Sequence, residues 1–207
     1  MKMSNKFTLV RILFAPVFFI LYCIPVWTGR FSSVSVYIMI PFLVFAEFTD
    51  YLDGHYARKH GEVSDFGKMF DPFADVMLHL TSFICFVLPG IRQPDGGYMP
   101  SFLFVLLFYR EFSMNFVRMA AAKQGVAIAA RKGGKFKTVL YIITEFYVLS
   151  IECAIRLALP VDGMLSALRT GATVLFVLCV VASYASFADY LIHFGTLLAG
   201  KESDKKK

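Results

Sequence analysis

Six apolar runs, each long enough to cross a lipid bilayer, restrict this chain more than any other feature. They cover Phe7–Trp27, Ser32–Ala57, Asp65–Pro89, Pro100–Ala122, Thr138–Leu159 and Leu165–Leu198. A spanning helix needs about 20 predominantly apolar residues. The predicted fold is therefore an all-α integral membrane protein with six transmembrane helices, the last of them long enough to tilt or protrude. Turn formers punctuate the runs: Thr28-Gly29, Pro94-Asp95-Gly96-Gly97, Gly133-Gly134 and Pro160–Gly163.

Composition excludes a soluble domain. Hydrophobic residues make up 57% of the 207 and charged residues only 17%, against about 25% charged in globular proteins. A soluble domain of this length has too little interior to hide that much apolar surface. Residues 1–200 read as a single transmembrane domain, and 201–207 as a basic, disordered tail that anchors to anionic lipid. Lys2, Lys6 and Arg11 followed by apolar Ile12–Trp27 imitate a signal peptide, but no small-residue cleavage site follows, so this segment is a retained first helix. The cysteines Cys23, Cys85, Cys153 and Cys179 lie inside apolar stretches without metal-type spacing and read as packing residues.

The net charge of +6 is distributed as a topology signal, with no basic–aromatic groove for nucleic acid. An even number of spans puts both ends on one side. That side then carries Lys2, Lys6 and Arg11; Arg58, Lys59 and Lys68; Lys123, Arg131, Lys132, Lys135 and Lys137; and Lys201, Lys205, Lys206 and Lys207, fifteen of the 21 basic residues. Only Arg30, Arg92, Arg156 and Arg169 fall opposite. The positive-inside bias places both termini, and the link between the second and third helices, in the cytoplasm; a bacterial inner membrane fits this layout.

That link carries an unusual set of carboxylates. Asp50 and Asp53 are three apart, and Asp71 and Asp75 four apart, so each pair shares a helix face. A short connection through Gly61 is expected to set the two helices side by side with the pairs facing, and Pro72 fits a position near a helix start. Two like charges ~4 Å apart repel by about 4 kcal/mol at an effective dielectric of ~20. Four carboxylates in one place therefore call for cations, and oxygen donors without nearby thiolates suit hard divalent ions. Two such ions would neutralise four carboxylates and could clamp a pyrophosphate. Gly54 and Ala57 keep the face beside Asp53 open, and Arg58 offers a fork of donors for phosphate or a base; Gly67 likewise precedes Asp71 by one turn. Solvated helix ends explain one such Asp, but not four with small residues at helical spacing.

Asp50, Asp53, Gly54, Ala57, Arg58, Gly67, Asp71 and Asp75 match, without a gap, the signature Asp-x2-Asp-Gly-x2-Ala-Arg-x8-Gly-x3-Asp-x3-Asp. On these residues the chain resembles the CDP-alcohol phosphotransferases. The resemblance implies six transmembrane helices, commonly a homodimer, and CMP as leaving group. It implies that Asp50, Asp53, Asp71 and Asp75 surround Mg²⁺ or Mn²⁺, with Asp75 as general base. Gly54, Ala57, Arg58 and Gly67 would line the site for the CDP moiety of CDP-diacylglycerol. Within the family the chain is most similar to members whose acceptor is glycerol 3-phosphate. Asn5–Arg11, Arg110-Glu111-Phe112 with Arg118, and Gly134–Thr138 carry that likeness. One departure is Val76, where bacterial relatives often have Lys directly after the last Asp.

A phosphorylated acceptor needs its own cations, and Arg110, Arg118, Lys135 and Lys137 are the candidates. Arg110 and Arg118, eight apart, fall near one helix face; an ion pair of Arg110 with Glu111 or Glu145 is the structural alternative. His79 and His193, inside apolar runs, read as hydrogen-bonded packing residues, and Asp189 as a local cap or pair. The spacing does not place Asn5, Thr8 and Arg11 relative to the carboxylates. Competing readings keep the chemistry with another acceptor (serine, inositol phosphate, choline or a phospholipid), or make the Asp cluster the ion site of a small cation transporter. Arg58 beside the cluster and its position at helix ends rather than mid-membrane disfavour transport.

Overall fold

A computed structural model describes residues 3–60, 65–90, 96–126, 128 and 132–198, with side chains described for 8–49, 70–90, 96–126, 128 and 133–194. Its elements are helices throughout: α1 (Met3–Thr28), α2 (Ser32–His60), α3 (Asp65–Val87), α4 (Ser101–Lys123), α5 (Lys132–Arg156), a 3-10 turn at Asp162–Met164, and α6 (Leu165–Leu198). All six predicted helices are present. Thr28-Gly29 ends α1 as expected: Gly29, at φ +66°, donates its N–H to the Pro25 carbonyl, in a conformation that costs glycine little.

Among the described residues, five helices (α1, α2, α3, α5 and α6) are long and apolar enough to cross a membrane. The sixth expected span, α4, has the length, at 23 residues, but it carries Arg110, Glu111 and Arg118 along its course. Two further expectations give way to the structure. Gly133-Gly134 does not break the chain before α5 but lies in its first turn, where a Cβ on Gly134 would stand 3.4 Å from the Tyr190 hydroxyl of α6. Pro72 sits inside α3 rather than at its start.

The bundle is inside-out relative to a soluble protein. Trp27, Tyr37, Phe102, Phe116 and Ile192 are exposed, while Arg11, Arg110, Glu111, Lys137, Glu145, Glu152 and Arg156 are buried. An apolar exterior costs nothing in lipid, whereas charged groups at that depth require partners inside the bundle. The core between them is aromatic. The Phe83 ring of α3 packs edge-on against Tyr141 of α5 at 5.1 Å and Phe176 of α6 at 5.4 Å, and the four cysteines are buried and unlinked, as packing residues are.

Helix α1 packs along both α2 and α3. The hairpin expected of α2 and α3 through Gly61 falls outside the described residues; among the described residues the two helices meet where Ala15, Ala46 and Leu78 pack together. At the end of the bundle remote from Asp75, Arg156 fastens three helices. Its guanidinium donates to Glu152 Oε1 (2.8 Å), Ser35 Oγ of α2 (2.9 Å) and the Tyr22 carbonyl of α1 (2.9 Å), and Tyr98 donates to the other Glu152 oxygen at 2.7 Å. Next to it, Met99 N–H bonds the Phe86 carbonyl at 3.0 Å. A Cβ on Gly97 would stand 2.1 Å from that same oxygen, so only glycine fits there.

Candidate functional site

Asp71 and Asp75 lie one turn apart on α3, as their spacing requires. Each is met from α1. The Thr8 hydroxyl donates to Asp71 Oδ1 and the Arg11 guanidinium pairs with Asp75 Oδ1. Thr8 and Arg11 are buried, so they are fixed by packing, whereas the Asp75 side chain keeps 32% exposure. These two partners could not be assigned from sequence, because nothing in the spacing ties the first turns of α1 to a helix more than 60 residues away. Asp50, Asp53, Gly54, Ala57 and Arg58 lie in α2 and Gly67 in α3, but their side chains fall outside the described residues.

A cavity of about 310 Å³ opens beside Asp75, and its walls include Arg110, Arg118, Lys135 and Lys137. The four cations picked from sequence for an acceptor phosphate thus share one cavity with the Asp75 carboxylate. They are not equivalent. Arg110 and Lys137 are buried, and both donate to one oxygen, Glu111 Oε1, at 2.8 and 2.7 Å. Tyr141 donates to the same atom at 2.9 Å. Arg110 Nε is also taken, by the Ser183 carbonyl of α6 at 2.9 Å. Of the two acids weighed as partners for Arg110, Glu111 is the one in place. Arg118 differs: its Nε is buried without a hydrogen-bond partner among the described residues. Lys135 is exposed. Arg118 and Lys135 are therefore the cations available to an incoming anion, whereas Arg110 and Lys137 are buried in the cavity wall and committed to Glu111.

Other sequence expectations sort as follows. Val76, the departure noted from the sequence, is buried and gives the cavity an apolar surface directly after Asp75. His79, one turn beyond Asp75, is buried with its Nδ1 2.9 Å from Glu145 Oε1, the hydrogen-bonded interior histidine expected. His193 is instead exposed on α6 and pairs with Asp189 at 3.2 Å. Its apolar surroundings in sequence face outward rather than into the core. Glu111 and Tyr141 organise the cavity and were not singled out for it; the adjacency of Arg110 and Glu111 was the available signal.

The sequence profile of the CDP-alcohol phosphatidyltransferases matches residues 1–175, most of the chain. The chain belongs to the CDP-alcohol phosphatidyltransferase family. It is 34% identical to the CDP-diacylglycerol--glycerol-3-phosphate 3-phosphatidyltransferase of Treponema pallidum (strain Nichols), covering 96% of this chain and 91% of that protein. Identity is also 34% to the protein of the same name from Bacillus subtilis (strain 168), over 69% of this chain and 73% of that one. A "Probable phosphatidylglycerophosphate synthase" of Mycobacterium tuberculosis (strain H37Rv) is 30% identical over 92% of this chain and 80% of its own length.

CDP-alcohol phosphatidyltransferases use divalent metal, and the residues present suit one. Asp71 and Asp75 offer hard oxygen donors from one helix face, each oriented by a hydrogen bond from α1. Second-shell bonds of this kind fix ligating carboxylates. No cysteine lines the cavity, so the donors it offers are oxygen and nitrogen rather than thiolate.

Proposed function

We propose that this protein transfers the phosphatidyl group of CDP-diacylglycerol to glycerol 3-phosphate, forming phosphatidylglycerophosphate and CMP. The observation that carries this reading is one cavity lined by Asp75, Arg118 and Lys135 together with Arg110 and Lys137, the last two bound to Glu111. Serine or choline has no phosphate to use those cations, and a carboxylate-only ion site does not need them.

In this reaction a hydroxyl oxygen of the acceptor attacks the phosphatidyl phosphorus in line. The bond from phosphorus to the CMP oxygen breaks, and the hydroxyl proton passes to Asp75, the general base. Asp50, Asp53, Asp71 and Asp75 hold two divalent cations, Mg²⁺ or Mn²⁺, which supply charge neutralisation on the pyrophosphate. Arg11 keeps the Asp75 carboxylate aimed at the cavity, and Thr8 does the same for Asp71. Gly54, Ala57, Arg58 and Gly67 line the cytidine nucleotide site. Arg118 and Lys135 bind the acceptor phosphate and set the distance from its hydroxyl to Asp75, an orientation effect worth more than affinity alone.

Residues 1–200 form the catalytic domain, with α4 as the sixth span: its charged side chains Arg110 and Glu111 turn inward, while Phe102, Tyr109, Phe112 and Phe116 turn out. The basic residues 201–207 engage anionic lipid. The protein works as a homodimer in the bacterial inner membrane, with both termini and the cavity mouth on the cytoplasmic side. There the diacyl chains stay in lipid and the nucleotide and acceptor reach the site from water.

The test is CMP release by purified protein in detergent with CDP-diacylglycerol, Mg²⁺ and a panel of alcohols. Release is expected with glycerol 3-phosphate, lost on chelation and in Asp75→Asn. Arg118→Ala is expected to raise the KM for glycerol 3-phosphate roughly 10- to 100-fold, the loss of one charge-assisted hydrogen bond, and to leave the KM for CDP-diacylglycerol unchanged. Release with serine or inositol phosphate in place of glycerol 3-phosphate overturns the acceptor assignment.

A further inference from the structure

Two side chains of α6, one turn apart, meet the glycines in the first turn of α5. A Cβ on Gly133 would stand 3.5 Å from Ser186 Oγ, and one on Gly134 would stand 3.4 Å from the Tyr190 hydroxyl. The absence of side chains at 133 and 134 is what lets α6 come this close. The two contacts differ in where they lie. Gly134 and Tyr190 both line the cavity of about 310 Å³ that holds Arg118 and Lys135, whereas Gly133 and Ser186 do not. Tyr190 is only 1% exposed. Its atom nearest to the Gly134 Cβ position is the hydroxyl oxygen, followed by ring Cε2 at 3.9 Å. The hydroxyl end of the side chain is therefore the part turned to this stretch of the cavity wall.

Packing fixes the rest of the ring. It belongs to an apolar cluster with Met114, Val117 and Ala121, which flank Arg118 along α4, and it stacks on Phe194 with centroids 6.1 Å apart. Tyr190 thus joins the part of α4 that carries Arg118 to the turn of α5 that carries Lys135. A phosphate monoester brings roughly two negative charges and three acceptor oxygens. Arg118 and Lys135 match that charge. A third donor adds a directional bond without adding repulsion among the cations of the cavity if it is neutral, as a phenol is. A ring already held by packing also loses little freedom when a ligand binds.

We propose that Tyr190 is a further acceptor-binding residue, its hydroxyl donating to the phosphate of glycerol 3-phosphate beside Arg118 and Lys135. This inference rests on the acceptor assignment made above. It gives the last helix a part in selecting the acceptor, because the phosphate is then read by side chains from α4, α5 and α6 together.

Tyr190→Phe removes the hydroxyl and keeps the packed ring. In the CMP-release assay with the purified full chain, its KM for glycerol 3-phosphate should rise about tenfold, the loss of one hydrogen bond to a charged group. Its kcat and its KM for CDP-diacylglycerol should stay at the wild-type values. Ser186→Ala alters the same contact between α5 and α6 outside the cavity lining and should leave all three constants unchanged. Gly134→Ala retains the phenol but sets a methyl against its oxygen, and should raise the KM for glycerol 3-phosphate as well. A wild-type KM for glycerol 3-phosphate in folded Tyr190→Phe overturns the proposal; if that variant does not fold, a wild-type KM in Gly134→Ala does so. An equal rise in Ser186→Ala also overturns it, by assigning the effect to helix packing. Wild-type protein that releases CMP only with an unphosphorylated alcohol overturns the acceptor assignment itself, which is a distinct result.

Discussion

Replacing Glu111 by Ala tests whether the back wall of the cavity is held by charge. One Glu111 oxygen accepts hydrogen bonds from Lys137 Nζ at 2.7 Å, Arg110 Nη1 at 2.8 Å and Tyr141 at 2.9 Å, and all four residues are buried. At an effective dielectric of ~20, a unit pair near 3 Å attracts by about 5 kcal/mol. Desolvation offsets much of that while the pair is intact. Removing the acid leaves two buried cations facing each other without a counter-charge, and breaking one partner of a buried pair costs about 3–5 kcal/mol. Unfolding by SDS titration in mixed micelles should show a loss of that size for Glu111→Ala. Adding Lys137→Met removes one of the stranded cations and should restore about 1–2 kcal/mol, the penalty of one unsatisfied buried group. A Glu111→Ala protein within 1 kcal/mol of wild type refutes the reasoning, as does a double variant less stable than the single one. Either result means that water reaches the wall and carries the charge in place of Glu111.

Thr8→Val keeps the side-chain shape and removes the hydroxyl that orients Asp71; activity at saturating substrates should fall about tenfold, with the midpoint for Mg²⁺ activation shifted upward. Arg11→Met should have the larger effect on kcat, since it frees the Asp75 carboxylate from its ion pair. Arg156→Met strands the buried Glu152 at the far end of the bundle, so stability should drop by about 3–5 kcal/mol while the KM for glycerol 3-phosphate stays constant in the folded fraction. Gly97→Ala drives a methyl against the Phe86 carbonyl, and the same unfolding titration should register a loss of about 1–3 kcal/mol.

The six helices were legible because lipid imposes a length and a composition that run through every residue of a span. Helix bounds depend on finer effects. Gly133 and Gly134 look like a break in isolation, yet the need for α6 to approach closely keeps them helical. The carboxylate pair on α3 was readable from spacing alone, since i and i+4 on one helix need no tertiary information. Thr8, Arg11 and Tyr141 were not, because their relation to Asp71, Asp75 and Glu111 comes from packing between helices. Arg110 and Arg118 were recognised as a pair of cations on one helix, but their division into a bound and an available one depends on Glu111 and on Ser183 of α6, brought in from far along the chain.

The packing of α1 against α3 has a consequence for how the protein is made. Arg11 is synthesised on α1 before Asp75 is synthesised on α3. Each ionised side chain alone costs about 2.5–3.5 kcal/mol near the middle of a span and less toward its ends. Docking of α3 brings the Asp75 carboxylate against the Arg11 guanidinium, so the pairing that orients Asp75 exists only once α1 and α3 have packed together.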